Sequence, residues 1–214
     1  MKFLPQMSAA ELATPEIDSE PIVSNAEATA PETLHKLSST WCLWVMSQHG
    51  KVNKDHWQAN QTKAIEVSSV EEFWRMVNHI HPPSKITSSD YSFFRQGITP
   101  AWEDKICQRG GRWVAKSDKA RGIDEAWLNA VLATIGEQFS EISNTICGTV
   151  VSTRRSGVKL ALWLATRNMD EIMAIGKLFK EQVQPLFAGR EDAANVISFD
   201  FFGEPSADGK PIEL

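Results

Sequence analysis

The sequence has one tyrosine, three cysteines and no CxxC pair. An odd cysteine count, with Cys42, Cys107 and Cys147 far apart, excludes a disulfide framework and a cysteine-rich zinc site and fits a reducing compartment. No apolar run approaches the roughly 18 residues that span a bilayer. The start MKFLPQMSAAELATPEIDSE meets proline and acids too early for a secretory leader. These absences lead to the expectation of a soluble protein of the cytoplasm or nucleus. Surplus positive charge is missing as well, since 27 acids face 22 Lys plus Arg for a net charge of -5. That balance is unsuited to gripping duplex DNA through many phosphates. The deficit is local, however. Residues 1–35 hold six acids and one base, so the other 179 residues carry 21 of each sign, and a neutral body still has room for a small basic site.

Chemical motifs are also few. There is no GxxxxGK loop and no GxSxG elbow. His79 and His81, or His49 and His56, lack acids or cysteines at ligand spacing, so no metal site and no cofactor are expected. Glu103 and Asp104 are adjacent, and adjacent side chains diverge, whereas a hydrolytic carboxylate pair must face one substrate. The chain is therefore read as a binding protein and not an enzyme.

What is present divides at about residue 34. Residues 1–34 carry Pro5, Pro15, Pro21 and Pro31 among small and acidic residues and are expected to form a disordered arm. From Trp41 onward, WCLWVMS, YSFFRQG, GGRWVAKS, GTVVSTRR and VKLALWLA read as strands. Val70, Phe73, Trp74 and Val77 have helical spacing behind a Ser69/Glu72 capping box. Ile123, Trp127, Val131 and Ile135 mark a second helix with Gly136 as its stop. Ile172, Ile175, Leu178 and Val183 mark a third, opened by Asn168 and ended near Pro185. The RRSG at 154–157 reads as a hairpin turn. The element order does not simply alternate strand and helix, which favours an α+β fold: an antiparallel sheet with helices on one face and the other face open.

Eight tryptophans are the largest compositional excess. Trp74 and Trp127 sit on helical stripes and are expected to pack. In VKLALWL, alternation puts Val158, Leu160, Leu162 and Leu164 on one face and Lys159, Ala161 and Trp163 on the other. The same parity puts Trp113 inside and Arg112 outside. A tryptophan beside Arg and Lys on an open sheet face suits a nucleotide or phosphate. Trp57 and Trp102 lie on neither kind of stripe, so each must pack onto something or await a ligand. Two loop indoles can form the walls of a stacking clamp that favours a cationic ring, and a neighbouring carboxylate can accept the N–H groups of a guanine edge.

WCLW at 41–44, WQAN at 57–60, VEEFW at 70–74, DYSFF at 90–94, PAWED at 100–104, RGGRW at 109–113, IGE at 135–137 and LALW at 160–163 together resemble the eukaryotic translation initiation factor 4E family, which binds the messenger RNA cap. The resemblance begins at His35 and spans about 170 residues, including all eight family tryptophans in order. It implies a cap-binding domain over 35–214, with a flexible tail from about residue 203. The implied fold is a cupped antiparallel sheet of about eight strands with three helices on the convex face. Carried over position by position, Trp57 and Trp102 would stack on 7-methylguanine and Glu103 would read its edge. The Trp102 backbone N–H would meet the guanine carbonyl, Trp163 would touch the N7 methyl, and Arg112, Arg154 and Lys159 would face the phosphates. The convex face would bind a scaffold factor 4G or repressor proteins through His35, Leu37, Val70, Trp74, Leu128, Asn129 and Leu132.

The chain departs from the family at several positions. Ser156 and Ser152 stand where the family often has lysine and asparagine, which implies weaker phosphate contacts. Lys36 replaces a proline, and Asn129 replaces a glutamate that would meet a basic partner residue, which implies altered partner choice. The loop between Trp44 and Trp57 is longer than usual. A family fold that acts as a protein-interaction module or repressor, with little or no cap binding, is the alternative reading.

Overall fold

A computed structural model describes residues 34–47, 61–86, 88–188, 196–203 and 211–214. The expected arm at 1–34 falls outside these except for Leu34, and of the expected tail only 203 and 211–214 are described. The elements run β1 (Lys36–Ser47), β2 (Gln61–Ser69), α1 (Val70–His79), β3 (Ser89–Arg95), β4 (Gly111–Ser117), α2 (Ile123–Ile135), β5 (Ile146–Arg154), β6 (Gly157–Leu164), α3 (Met169–Gln182), β7 (Ile197–Phe201) and β8 (Ile212–Glu213). All eight strands join one sheet in the order β2-β1-β3-β5-β6-β4-β7-β8, and every pairing is antiparallel. The expected α+β architecture is present, an antiparallel sheet with three α-helices. No helix among the described residues is long and apolar enough to cross a membrane.

Strand alternation splits the sheet into two unequal faces. Leu43, Phe93, Trp113, Ala115, Val151, Leu160, Leu162 and Leu164 point to the helices and form the main core with Phe73, Trp127, Ile172 and Phe179. Trp113 fastens the layers together, its indole N–H donating to the Ile172 carbonyl of α3 at 2.9 Å. The opposite face carries a smaller apolar cluster around Phe94, Val114, Ala161, Trp163 and Phe202. The expected parity of Leu160 against Trp163 and of Trp113 against Arg112 is what the two clusters contain. The β5–β6 hairpin turns on Arg155 and Ser156, with Arg154 opposite Gly157. Gly157 has a φ of 134°, which a side chain would resist.

The helices begin and end at the expected caps, Ser69 before α1, Gly136 after α2 and Asn168 before α3. The Ser69 hydroxyl caps α1 by accepting from the Glu72 N–H at 3.2 Å, and the Glu72 carboxylate accepts from the Ser68 N–H and hydroxyl. Gly136 follows α2 with an ordinary φ of -83°. The left-handed position belongs to Glu137, with φ 52°, after the Gly136 N–H has closed onto Leu132. Asn168 caps α3 as expected.

One packing expectation fails. Trp127 is buried at 2% exposure, but Trp74 is 41% exposed and Val70 39%. Helix α1 packs beside β2, which is an edge strand, so the sheet covers only part of it. Phe73 and Met76 face inward, while Val70 and Trp74 face out.

Candidate nucleotide-binding site

Register across the open face arranges the site into three transverse rows. The first runs Met46, Asp90, Ser152, Lys159 and Lys116 across β1, β3, β5, β6 and β4. The second runs Trp44, Ser92, Val150, Ala161, Val114 and Ser198. The third runs Cys42, Phe94, Gly148, Trp163, Arg112 and Asp200. The first row is the charged margin, and the third row, apolar along most of its length, ends in the charged pair Arg112 and Asp200. Gly148 belongs to a close approach of strands, since a Cβ there would lie 2.4 Å from the Phe93 carbonyl oxygen and 2.6 Å from the Phe94 ring. Trp163 lies edge-on to Phe94, with centroids 5.4 Å apart, and tilted against Phe202 at 4.5 Å.

A cleft of about 370 Å³ opens over these rows, with Trp102, Arg112, Lys159, Trp163 and Phe202 among its walls. Trp163 forms the floor at 6% exposure, whereas Trp102 is 51% exposed. Trp102 sits in a turn braced by its neighbour Asp104. That carboxylate accepts from the Thr99 N–H at 3.1 Å, the Ile106 N–H at 2.8 Å and the Cys107 N–H at 3.4 Å. The adjacent acids thus have different tasks. Asp104 is consumed in shaping the turn, while Glu103 is exposed and makes no hydrogen bond among the described residues.

Glu103 does not share the Trp102 cleft. It lines a neighbouring recess of about 250 Å³ with Trp44, Thr99 and Asp104, because successive side chains of the turn point apart. Gln61 borders both spaces and donates its side-chain amide to the Pro100 carbonyl at 3.0 Å. The other expected stacking residue, Trp57, lies outside the described residues.

At the charged margin a second opening, of about 640 Å³, adjoins the first and shares Asp90, Ser152 and Lys159 with it. Arg154 lines this opening but does not stand free. Its guanidinium forks onto buried Asp90, with contacts of 2.7 Å to Oδ1 and 2.9 Å to Oδ2, and also donates to the Ser89 and Thr153 carbonyls at 3.0 Å each. Arg112 lies over Trp163 and Phe202, 5.9 Å from each ring centre, with Nε 3.7 Å from Asp200 Oδ2. Lys159 has no ion pair with an acid among the described residues. Burial pushes its ammonium below the usual lysine range, and Arg112 adds to the effect while Asp90 opposes it.

The expected site residues thus fall into groups. Trp102, Trp163, Arg112 and Lys159 share one cleft, Arg154 adjoins it, and Glu103 borders the next recess. Asp90, Asp200, Gln61 and Phe202 were missed by the sequence reading. The only signal for Asp90 and Asp200 was a lone acid in a strand rich in aromatic residues.

The family model described as eukaryotic initiation factor 4E matches residues 36–200. The chain belongs to the eukaryotic initiation factor 4E family. It is 39% identical over 160 residues to eukaryotic translation initiation factor isoform 4E of Nicotiana tabacum, covering 74% of this chain and 80% of that one. Among solved structures it is similar to C. elegans eIF4E-3 in complex with the 4E-binding protein Mextli and cap analog. That likeness has a TM-score of 0.74 and 30% identity, over 85% of this chain and 100% of the other. Ascaris suum eIF4E-3 with m7G cap gives a TM-score of 0.74 at 31% identity, over 85% and 98% of the two chains.

In this 4E-family chain the residues expected to meet protein partners lie on the helical side. The His35 backbone is joined to α1 twice: the Val70 N–H donates to its carbonyl at 2.9 Å, and its own N–H donates to Glu71 Oε2 at 3.0 Å. Its ring Nδ1 is 2.6 Å from Glu71 Oε1, and this contact holds the Glu71 carboxyl down to about 2. Leu37, Leu128, Asn129 and Leu132 are half-buried, so Val70 and Trp74 are the large apolar groups this surface offers to solvent.

Proposed function

We propose that the chain binds the 7-methylguanosine cap of messenger RNA in the open cleft and recruits a 4G-type scaffold or 4E-binding repressor proteins on its convex face for translation initiation. The observation that carries the first half is a half-exposed Trp102 at the mouth of a cleft floored by Trp163 and lined by Arg112 and Lys159. Methylation at N7 makes guanine cationic, and a cationic ring gains more from an electron-rich indole than a neutral one does. The same charge makes the guanine N1–H a better donor to a carboxylate, which is the role assigned to the exposed Glu103 in its adjoining recess. Trp57 is assigned the second stacking wall.

The charged margin is assigned to the phosphates, with Lys159 as the direct contact. On the convex face, exposed Val70 and Trp74 on α1 suit the apolar side of a short partner helix. The reading is of a binding protein without a catalytic step, since Asp104 is committed to its turn and leaves Glu103 no carboxylate partner for acid–base work.

Titrating the intrinsic indole fluorescence with 7-methylguanosine triphosphate and with guanosine triphosphate tests the cleft. The methylated nucleotide should bind at least about tenfold more tightly, roughly 1.4 kcal/mol. Equal and weak responses would overturn cap binding and leave the protein-interaction role alone.

A further inference from the structure

The turn that presents Trp102 and Glu103 is shaped mainly by its own residues. The Ala101 N–H donates to the Thr99 carbonyl at 2.7 Å and the Asp104 N–H to the Ala101 carbonyl at 3.1 Å, while the Asp104 carboxylate accepts from the Thr99, Ile106 and Cys107 N–H groups. These bonds fix the form of the turn but not where it stands over the sheet. Pro100 and Ala101 are buried, and apolar burial is not directional. Among the described residues, a single hydrogen bond joins positions 99–103 to the sheet: the Gln61 side-chain amide donates to the Pro100 carbonyl at 3.0 Å. Gln61 is the first residue of β2 and is held in the ladder opposite Met46 of β1. It lines both the Trp102 cleft and the Glu103 recess, so the bond lies where the two spaces meet. Pro100 precedes Trp102 by two residues and Glu103 by three, so its carbonyl anchors both side chains at once. A guanine base has to meet both, and such contacts need placement within about 0.5 Å.

We propose, resting on the cap-binding reading above, that Gln61 is the positioning residue of the base-reading turn: by donating to the Pro100 carbonyl it sets Trp102 and Glu103 over the sheet before the base arrives. A turn already in place does not have to be ordered on binding, and that saving appears as affinity. Gln61 is uncharged, so its effect falls on the base and not on the phosphate chain. It also falls hardest on the methylated base, because the cationic ring gains most from a correctly placed indole.

Full-length protein, Gln61→Met and Gln61→His are titrated by calorimetry with 7-methylguanosine, its triphosphate and guanosine triphosphate at about pH 8, where histidine is neutral. Thermal melting and amide exchange of the free proteins run alongside. Methionine keeps the length of the side chain without a donor, and neutral histidine offers a ring N–H at similar reach. Gln61→Met should weaken the methylated nucleoside and its triphosphate by the same factor, about 3- to 10-fold, and lower the preference for the methylated triphosphate by about threefold. Amide protection at Ala101 and Asp104, relative to intrinsic exchange, should fall in Gln61→Met. Gln61→His should restore affinity to within about twofold and restore the protection. Affinities within about twofold of the original in Gln61→Met overturn the proposal, as does a loss confined to the triphosphate or unchanged protection in the turn. A loss that comes with a melting temperature lower by more than about 4 °C overturns it too, by making Gln61 a packing residue. If the original chain does not prefer the methylated triphosphate, the cap-binding reading fails and this inference with it. A preference that Gln61→Met leaves unchanged, with unchanged affinity, sinks only the role of Gln61.

Discussion

Replacing Trp102 by leucine is the most direct perturbation of the open cleft. Trp102 is 51% exposed and stands on a turn held by Asp104, not by its own indole, so its removal takes little from the core. A base stacked on one aromatic contributes about 1–3 kcal/mol. Loss of that contact corresponds to roughly 5- to 150-fold in the dissociation constant for 7-methylguanosine triphosphate. Isothermal titration calorimetry reads this without relying on the fluorescence of the deleted ring, and urea unfolding checks stability in the same preparation. Trp102→Phe should fall between the two, because a smaller aromatic face keeps part of the stack. Binding of Trp102→Leu within about twofold of the original would refute the reasoning. A stability loss above about 2 kcal/mol would refute it too, by showing that the indole was packing material.

Four other outcomes are expected. Trp74→Ala should weaken binding of a scaffold-factor peptide by about 1–2 kcal/mol while leaving nucleotide affinity unchanged, and Asn129→Glu should tighten a peptide with a basic residue facing that position; calorimetry on both ligands reads this. The contact of Glu71 with His35 should be intact above the ordinary carboxyl value of 4.5 and lost as pH falls toward about 2, because the folded-state value is depressed. Amide protection at His35 and Val70, taken relative to the intrinsic exchange rate at each pH, should fall over that window, and Glu71→Gln should abolish that fall. Trp113→Ala should destabilise by about 3–5 kcal/mol in denaturant unfolding, since it empties a fully buried site and strands the Ile172 carbonyl.

Period-two alternation made both faces of β4 and β6 legible, because leucines at 160, 162 and 164 and a lysine and tryptophan at 159 and 163 leave one assignment of inside and outside. The hairpin and the buried stripe of α2 were legible for similar reasons. The exposure of Trp74 was not, because helical spacing records an apolar stripe but not whether a neighbouring sheet is wide enough to cover it. Nor was the left-handed Glu137, which follows the expected stop at Gly136 and carries no residue-type signal of its own. The family resemblance supplied the roles for Trp102, Trp163, Arg112 and Lys159, and the fold brings these four together. Asp90 against Arg154 and Asp200 against Arg112 join residues 64 and 88 positions apart, and such pairs exist only once strand order and register are fixed.

The two-residue link at Arg155 and Ser156 has a consequence for how this chain can vary. Inserting a single residue there would rotate the whole of β6 by half a turn, driving an ammonium and an indole into hydrocarbon and turning three leucines out to water. Ligand recognition and foldability would fail together. Point substitutions on either side of the sheet can drift separately, but a change in the length of this link cannot be absorbed by one side alone.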